Sequence, residues 1–360
     1  MRARTLPAPA EEESEVLAAA LSGPAFSSQA TVADLKQAAV EASHELSASY
    51  PQSADAWNVQ ALLELHLGNT PDAVRLWEQC LAASPKSSEA LYGLGYIAYV
   101  EGENDQAVER FRAALAVNPA DVRIPLLLAE CLTRLGKPDE AVPVLQECLK
   151  RDPGAAAAQL SLGQVYLDLK QYEQSRVAFE NVLEVDPNNR EACFGLGRAL
   201  ARLGDAEKAK QVMERFKGLI ADERSVSSAR VLSFDDIAKG REVAVLIFNE
   251  TAKVYLRYGN LPKAEESWLK ASAIDPRGIQ SRLDLAALYE QSDRNHAALR
   301  VCEQLRDIEP SNAAYWHNVG VLQARLERYD EALAAVEEAI KLDPANPEYR
   351  HAREMIRSAK

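Results

Sequence analysis

No apolar run in this chain approaches the ~20 residues that a helix needs to cross a bilayer, so insertion as a helical membrane protein is not expected. Residues 1–17 carry charges but lack the apolar centre of a secretory signal, which points to the cytoplasm if Met1 is the native start. No GxxxxGK[ST], HExxH or GxSxG motif occurs, so phosphate-loop, zinc-protease and nucleophile-elbow chemistry have no carrier. The five cysteines, Cys80, Cys131, Cys148, Cys193 and Cys302, show no CxxC spacing and give no metal or redox motif. His44, His66, His296, His317 and His351 are scattered, each expected at the surface or rim. Neither a cofactor nor a metal is expected. There is no alternating run that would make a strand. The 54 acidic residues outnumber 41 basic ones, for a net charge of −13. Nucleic-acid affinity rests largely on neutralised phosphates, so that balance argues against a nucleic-acid partner.

What is present is a period. Pro51, Pro85, Pro119, Pro153 and Pro187 stand 34 residues apart, as do Pro276, Pro310 and Pro344. The gap between the two groups is 89 residues, two periods plus 21. Alanines run twelve residues ahead of the prolines: Ala39, Ala73, Ala107, Ala141, Ala264, Ala298 and Ala332, with Ser175 in the fifth unit and Ala209 in a unit that lacks its proline. Small residues stand a further twelve ahead, at Ala61, Gly95, Ala129, Gly163, Gly197, Ala252, Ala286 and Gly320. Small residues at fixed places let two helix backbones approach closely. Gly68, Gly102, Gly136, Gly204 and Gly259 fall in the turn between two helical stripes, where a left-handed residue ends the first helix. A period of this length means a repeat protein built from helix pairs.

The stretch from Leu91 to Pro119, LYGLGYIAYVEGENDQAVERFRAALAVNP, carries the W-x2-L-G-x2-Y, A-x3-F and P pattern, with Leu91 in the Trp place. Trp57 and Trp316 keep the aromatic itself. The chain therefore resembles the tetratricopeptide repeat family, in its bacterial type, over residues 54–344. Eight units start near Ala54, Ser88, Val122, Ala156, Arg190, Val245, Ile279 and Ala313. The departures are local. Pro125 and Gln159 replace the large first-helix residue, and Pro143, inside a second helix, is expected to bend or loosen it. Gly93-Leu94-Gly95 and Gly195-Leu196-Gly197 imitate a dinucleotide fingerprint, but both lie within a first helix with no strand before them, so helix packing is the better reading.

The resemblance implies an all-α solenoid, a right-handed superhelix of eight helix pairs. Residues 1–30 read as disordered or loosely helical, and residues 31–53 as a degenerate half-repeat capping the exposed end of the core. Units 1–5 occupy 54–223 and units 6–8 occupy 245–346. Residues 224–244 form an insertion or joint, with a helix extending from about Phe234, and 347–360 a closing helix.

In this family the first helices line a concave groove that binds extended peptides or partner helices. Projected onto that face, Tyr92, Tyr96 and Tyr99 make an aromatic stripe, and Arg134, Arg198, Arg202, Asn249, Lys253 and Arg257 a polar and basic stretch, with Arg325 beyond. Arginine forks suit carboxylates. The competing reading pairs these cations with Glu130, Asp168, Glu191 and Glu250 on neighbouring helices. The carboxylate clamp of chaperone-binding relatives is absent, because its places hold Asn58, Leu62, Gly93, Arg123 and Leu127. The function expected is a non-catalytic scaffold or adaptor whose partner is another protein or peptide with an apolar anchor and acidic residues. The alternative is a regulatory or substrate-recruiting module of a larger enzyme or envelope-assembly complex.

Overall fold

The structure, a computed structural model, describes Phe26, residues 29–227 and residues 235–360. Among these the chain is all α-helical, with no strand. The first ten helices are α1 (Val32–Ser49), α2 (Ala54–His66), α3 (Thr70–Ala83), α4 (Ser88–Glu101), α5 (Asn104–Val117), α6 (Ile124–Arg134), α7 (Pro138–Arg151), α8 (Ala156–Asp168), α9 (Tyr172–Val185) and α10 (Arg190–Leu203). They are followed by α11 (Ala206–Ser227), α12 (Asp235–Arg257), α13 (Leu261–Ile274), α14 (Gln280–Gln291), α15 (Asn295–Ile308), α16 (Ala313–Arg325), α17 (Tyr329–Leu342) and α18 (Pro347–Ala359). The chain divides into two compact units, a central one of residues 60–234 and a terminal one of residues 1–59 with 235–360.

One hydrogen-bond pattern ends every first helix. In α4 the Glu103 N–H donates to the Ala98 carbonyl at 2.8 Å, around Gly102 at φ 83°. Bonds of the same span join Asn69 to Glu64, Lys137 to Leu132, Gln171 to Tyr166, Asp205 to Leu200, Asn260 to Tyr255, Arg294 to Tyr289 and Arg328 to Gln323. Each needs a left-handed residue at the turn. The five glycines of the sequence pattern take that conformation, and Lys170, Asp293 and Glu327 take it where glycine is missing.

Packing repeats with the same step. Ala73, Ala107, Ala141, Ala264, Ala298 and Ala332 are wholly buried. Ser175 is too, and its hydroxyl donates to the Gly163 carbonyl at 2.8 Å. A methyl group added at Gly95 would lie 2.9 Å from the Phe111 ring, and one at Gly93 would lie 2.4 Å from Trp77. Both glycines of the false dinucleotide motif are thus packing residues, one against the second helix of its own pair and one against that of the pair before. Four cysteines are buried and Cys148 is half-buried. Desolvation pushes the Cys131 thiol up to about 11 and that of Cys302 to about 12, so both stay protonated at neutral pH and are poor nucleophiles. Among the described residues no group of acidic, histidine or cysteine side chains could hold a metal ion, and no helix is long and apolar enough to cross a membrane.

Two irregular stretches are resolved by their contacts. Pro143 sits within a continuous α7 on its exposed side, where the carbonyl it leaves unbonded, on exposed Asp139, reaches water. The extra residues between the two proline groups lengthen the flanking helices. α11 has 22 residues and α12 has 23, against 14 in α10. Residues 228–234 lie outside the described residues, as do most of residues 1–30.

The capping helix has an unexpected neighbour. α1 begins with a capping box, Thr31 with Asp34, and packs along α12. Tyr50 stacks on Tyr258 with ring centroids 4.5 Å apart, Glu45 pairs with Lys263 at 2.6 Å, and the hydroxyls of Ser53 and Tyr258 are hydrogen-bonded at 3.0 Å. Its register in the sequence sets it ahead of the first repeat, yet the repeat face it covers is that of α12.

Candidate partner-binding site

In the central unit, first helices touch first helices: α4 meets α6, α6 meets α8, and α8 meets α10. The close approach at Gly93 and Gly95 presses one side of α4 into the core and leaves the tyrosines on the other. Tyr92 and Tyr96 have ring centroids 6.3 Å apart, and Tyr96 and Tyr99 6.2 Å apart, so the expected stripe is continuous. The Arg123 guanidinium lies 4.3 Å from the Tyr92 ring centre, and that of Arg134 4.6 Å from the Tyr99 ring centre. The Tyr99 hydroxyl donates to Glu130 at 3.0 Å, and Arg134 pairs with the same carboxylate at 2.6 Å. Desolvation raises the Tyr92 and Tyr99 hydroxyls above the usual phenol value, with the bond to Glu130 adding to it at Tyr99. Both are therefore hydrogen-bond donors at neutral pH.

Beyond Arg134 the first helices frame a hollow of about 720 Å³, lined by Leu127, Leu160, Phe194, Phe216 and Ile220 among others, with Glu130, Arg190 and Glu191 at its polar positions. Phe194 is 42% exposed and rests against Phe216, 5.2 Å between ring centroids. One turn further along α10, Arg198 lies 5.9 Å from the Phe194 ring centre. There Arg198, Arg202, Lys170, Asp168 and Tyr172 line a second hollow of about 330 Å³. Asp168 accepts from Gln164 at 3.1 Å. Among the described residues none forms an ion pair with Arg198 or Arg202, and both are exposed. The apolar hollow and the basic one thus share α8 and α10.

The apolar lining was missed from sequence although its signal was present. Tyr92, Leu126, Leu160 and Phe194 stand 34 residues apart, so each unit carries a large side chain at the same place on its first helix.

Asn249, Lys253 and Arg257 lie on α12, in the terminal unit. Asn249 accepts from the Ser281 hydroxyl at 2.9 Å, Lys253 pairs with Glu250 at 2.7 Å, and Arg257 pairs with Asp55. Arg325 pairs with Glu290 at 3.5 Å. The expected residues therefore separate into three sets: the tyrosines with Arg134, held by Glu130; Arg198 with Arg202, without an ion-pair partner; and the α12 trio, engaged within its own unit.

Family models described as tetratricopeptide repeat match residues 60–109, 98–156 and 134–179, residues 167–217, and residues 285–357. No curated protein matches the chain in sequence. Among solved structures, YrrB, described as a tetratricopeptide repeat protein with an unusual peptide-binding site, is 20% identical with a TM-score of 0.46, over 53% of this chain and 98% of YrrB. A MamA structure from Desulfovibrio magneticus RS-1, covering residue 41 to the end, is 24% identical with a TM-score of 0.43, over 48% of this chain and 96% of that one. The family matches, the phased turns and the buried alanine ladder agree: the chain belongs to the tetratricopeptide repeat family.

Proposed function

We propose that the protein is a non-catalytic interaction scaffold, and that the first helices of its central unit receive an extended segment of a partner protein. The observation that carries this reading is the continuity of the apolar hollow with two exposed arginines one and two turns further along the same helix. An apolar anchor enters between Leu160, Phe194 and Phe216, and acidic residues behind it meet Arg198 and Arg202. Tyr92, Tyr96 and Tyr99 extend the surface with flat, amphipathic contact area. Arg134 holds the Tyr99 end in place through Glu130. Asn249, Lys253 and Arg257 contribute a secondary contact region on the terminal unit, where a partner has to compete with Glu250 and Asp55. The excess of acidic groups elsewhere disfavours nucleic acid as the partner.

The test uses a fluorescent peptide that alternates leucine with glutamate, and the same peptide with lysine in place of glutamate. The acidic peptide binds, and more tightly at low salt, where attraction is less screened. Reversing Arg198 and Arg202 to glutamate weakens it by roughly tenfold or more and flattens the salt dependence. Phe194→Ala weakens it about equally at all salt concentrations, at the ~2 kcal/mol typical of an interface anchor. Equal binding of the lysine peptide, or unchanged affinity in both variants with helicity intact, overturns the reading.

A further inference from the structure

One position of the repeat is filled differently in almost every unit. The place of Trp57 recurs as Leu91, Pro125, Gln159, Cys193, Phe248, Arg282 and Trp316. Two fillings show how much room it has. Trp316 donates its indole N–H to the Pro310 carbonyl at 2.8 Å and lies 5.2 Å from the Arg306 guanidinium. Arg282, only 6% exposed, spends its guanidinium on the carbonyls of Ser272, Asp275 and Gly278 and on Gln304. Pro125 fills far less. It suits the first turn of α6, where proline costs no hydrogen bond, but its ring cannot replace an indole.

The space it leaves is open. Leu115 and Pro119 hold the places that Arg306 and Pro310 hold around Trp316, and both line a hollow of about 450 Å³ beside Pro125. Leu126, Val144, Cys148 and Ala158 complete its apolar wall. That volume lies within the range of small-molecule sites, roughly 300–1,000 Å³. The two cations at its rim are already matched, Arg123 with Asp121 at 2.5 Å and Arg151 with Glu147 at 3.6 Å, while Asp152 accepts from the Gly154 N–H at 3.0 Å. An anionic occupant would find no free cation there, whereas an apolar ring would find an apolar wall at the place where another unit seats Trp316.

We propose that this hollow is a binding site for an uncharged aromatic ring of the indole or phenol class, seated where other units place their own aromatic side chain. It adjoins the groove over α8 and α10, with Leu126 lining both, and does not depend on that reading.

Half-buried Cys148 in the wall supplies the readout, because an occupant covers it while Cys80 is buried in another repeat. The full-length protein is labelled with a maleimide, with and without indole, and the modified cysteines are mapped by mass spectrometry. Indole at ten times its dissociation constant slows Cys148 labelling about tenfold by mass action and leaves Cys80 unchanged. Pro125→Trp fills the hollow and removes the response. Pro125→Leu, copying Leu91, makes the same test with a smaller side chain should the first variant lose helicity. N-acetyltryptophanamide separates the sources: protection by it as well as by indole indicates a partner's side chain, and protection by indole alone a free ligand. Both outcomes support the site. Unchanged Cys148 labelling across the solubility range of indole, protection that persists in both Pro125 variants, or equal protection by indole-3-acetate overturns it.

Discussion

The central and terminal units are built from the same repeat, yet they use their polar side chains in different ways. On α10 of the central unit, Arg198 and Arg202 stand exposed beside an apolar hollow, with no ion-pair partner among the described residues. In the terminal unit the corresponding kinds of residue are engaged by partners within the unit. Glu265, 9% exposed, accepts from the Tyr289 hydroxyl at 2.9 Å and from both terminal nitrogens of Arg294, at 2.6 and 3.0 Å. Lys253, Arg257 and Lys263 are likewise engaged with Glu250, Asp55 and Glu45. The difference shows that a repeat sequence fixes where side chains emerge, and that their neighbours fix whether they hold the fold together or face a partner.

The largest test of this contrast is to remove a charge from each unit. Glu265→Ala leaves the Arg294 guanidinium and the Tyr289 hydroxyl without their acceptor in a mostly dry site. It should cost the terminal unit about 2–3 kcal/mol. Reversing Arg198 and Arg202 to glutamate breaks no ion pair, only the long contact of Arg198 with the Phe194 ring, and should shift stability by less than about 0.5 kcal/mol. Hydrogen exchange followed over α13–α15 and over α8–α10 checks both. A loss of protection in α8–α10 comparable to that caused by Glu265→Ala in its own unit would erase the distinction.

The period, the helix pairs and the left-handed turns were legible in the sequence, because each depends on residues a few positions apart. Gly102 and Glu103 close the same hydrogen-bonded turn that Gly204 and Asp205 close in α10. The aromatic stripe was legible for the same reason: Tyr92, Tyr96 and Tyr99 lie on one face of one helix. Pairing was legible only where it is local. Lys253 and Glu250 are three residues apart, but Arg257 and Asp55 are 202 residues apart, and Tyr50 and Tyr258 are similarly distant in sequence. No periodicity reports contacts over such separations, so the neighbour of α1 could not be read. Pro125 was visible as a departure from the repeat, whereas the hollow beside it depends on Leu115, Val144 and Cys148 failing to close in.

A smaller effect sharpens the contrast through pH. His317 is half-buried, with its ring centroid 5.0 Å from that of Tyr349, and so helps seat α18 on α16. Burial lowers its pKa below the usual 6.5, only partly offset by Asn318 and Glu348. The unfolded chain therefore binds a proton more readily than the folded one in the window below 6.5. This contribution to stability is present above that value and is lost as the pH falls through the folded pKa. The melting temperature of the terminal unit should drop between about pH 7.5 and about pH 5.5. His317→Gln should flatten that part of the drop. The central unit's one histidine, His66, is exposed. An identical pH profile in the variant would remove His317 from the account.

The smallest effect concerns the turns that both units share. Gly102 and Glu327 close equivalent turns at φ 83° and 61°, so one unit uses glycine where the other uses an L side chain in the left-handed region. That conformation costs a non-glycine residue roughly 1 kcal/mol or more, against which the added freedom of glycine in the unfolded chain takes back about 0.5 kcal/mol. Glu327→Gly should therefore stabilise the terminal unit by about 0.5 kcal/mol. The reciprocal Gly102→Glu should destabilise the central unit by a similar amount. Nothing stands within 4 Å of a methyl group placed at Gly102, so the loss there comes from backbone conformation and not from a clash. Denaturant midpoints of the two single variants and of the double exchange measure this directly. Opposite shifts that cancel in the double variant mean that the two turns are interchangeable parts of one repeat. A destabilising Glu327→Gly would show that the glutamate makes a compensating contact, and that the terminal unit has drawn even its turn residue into its own cohesion.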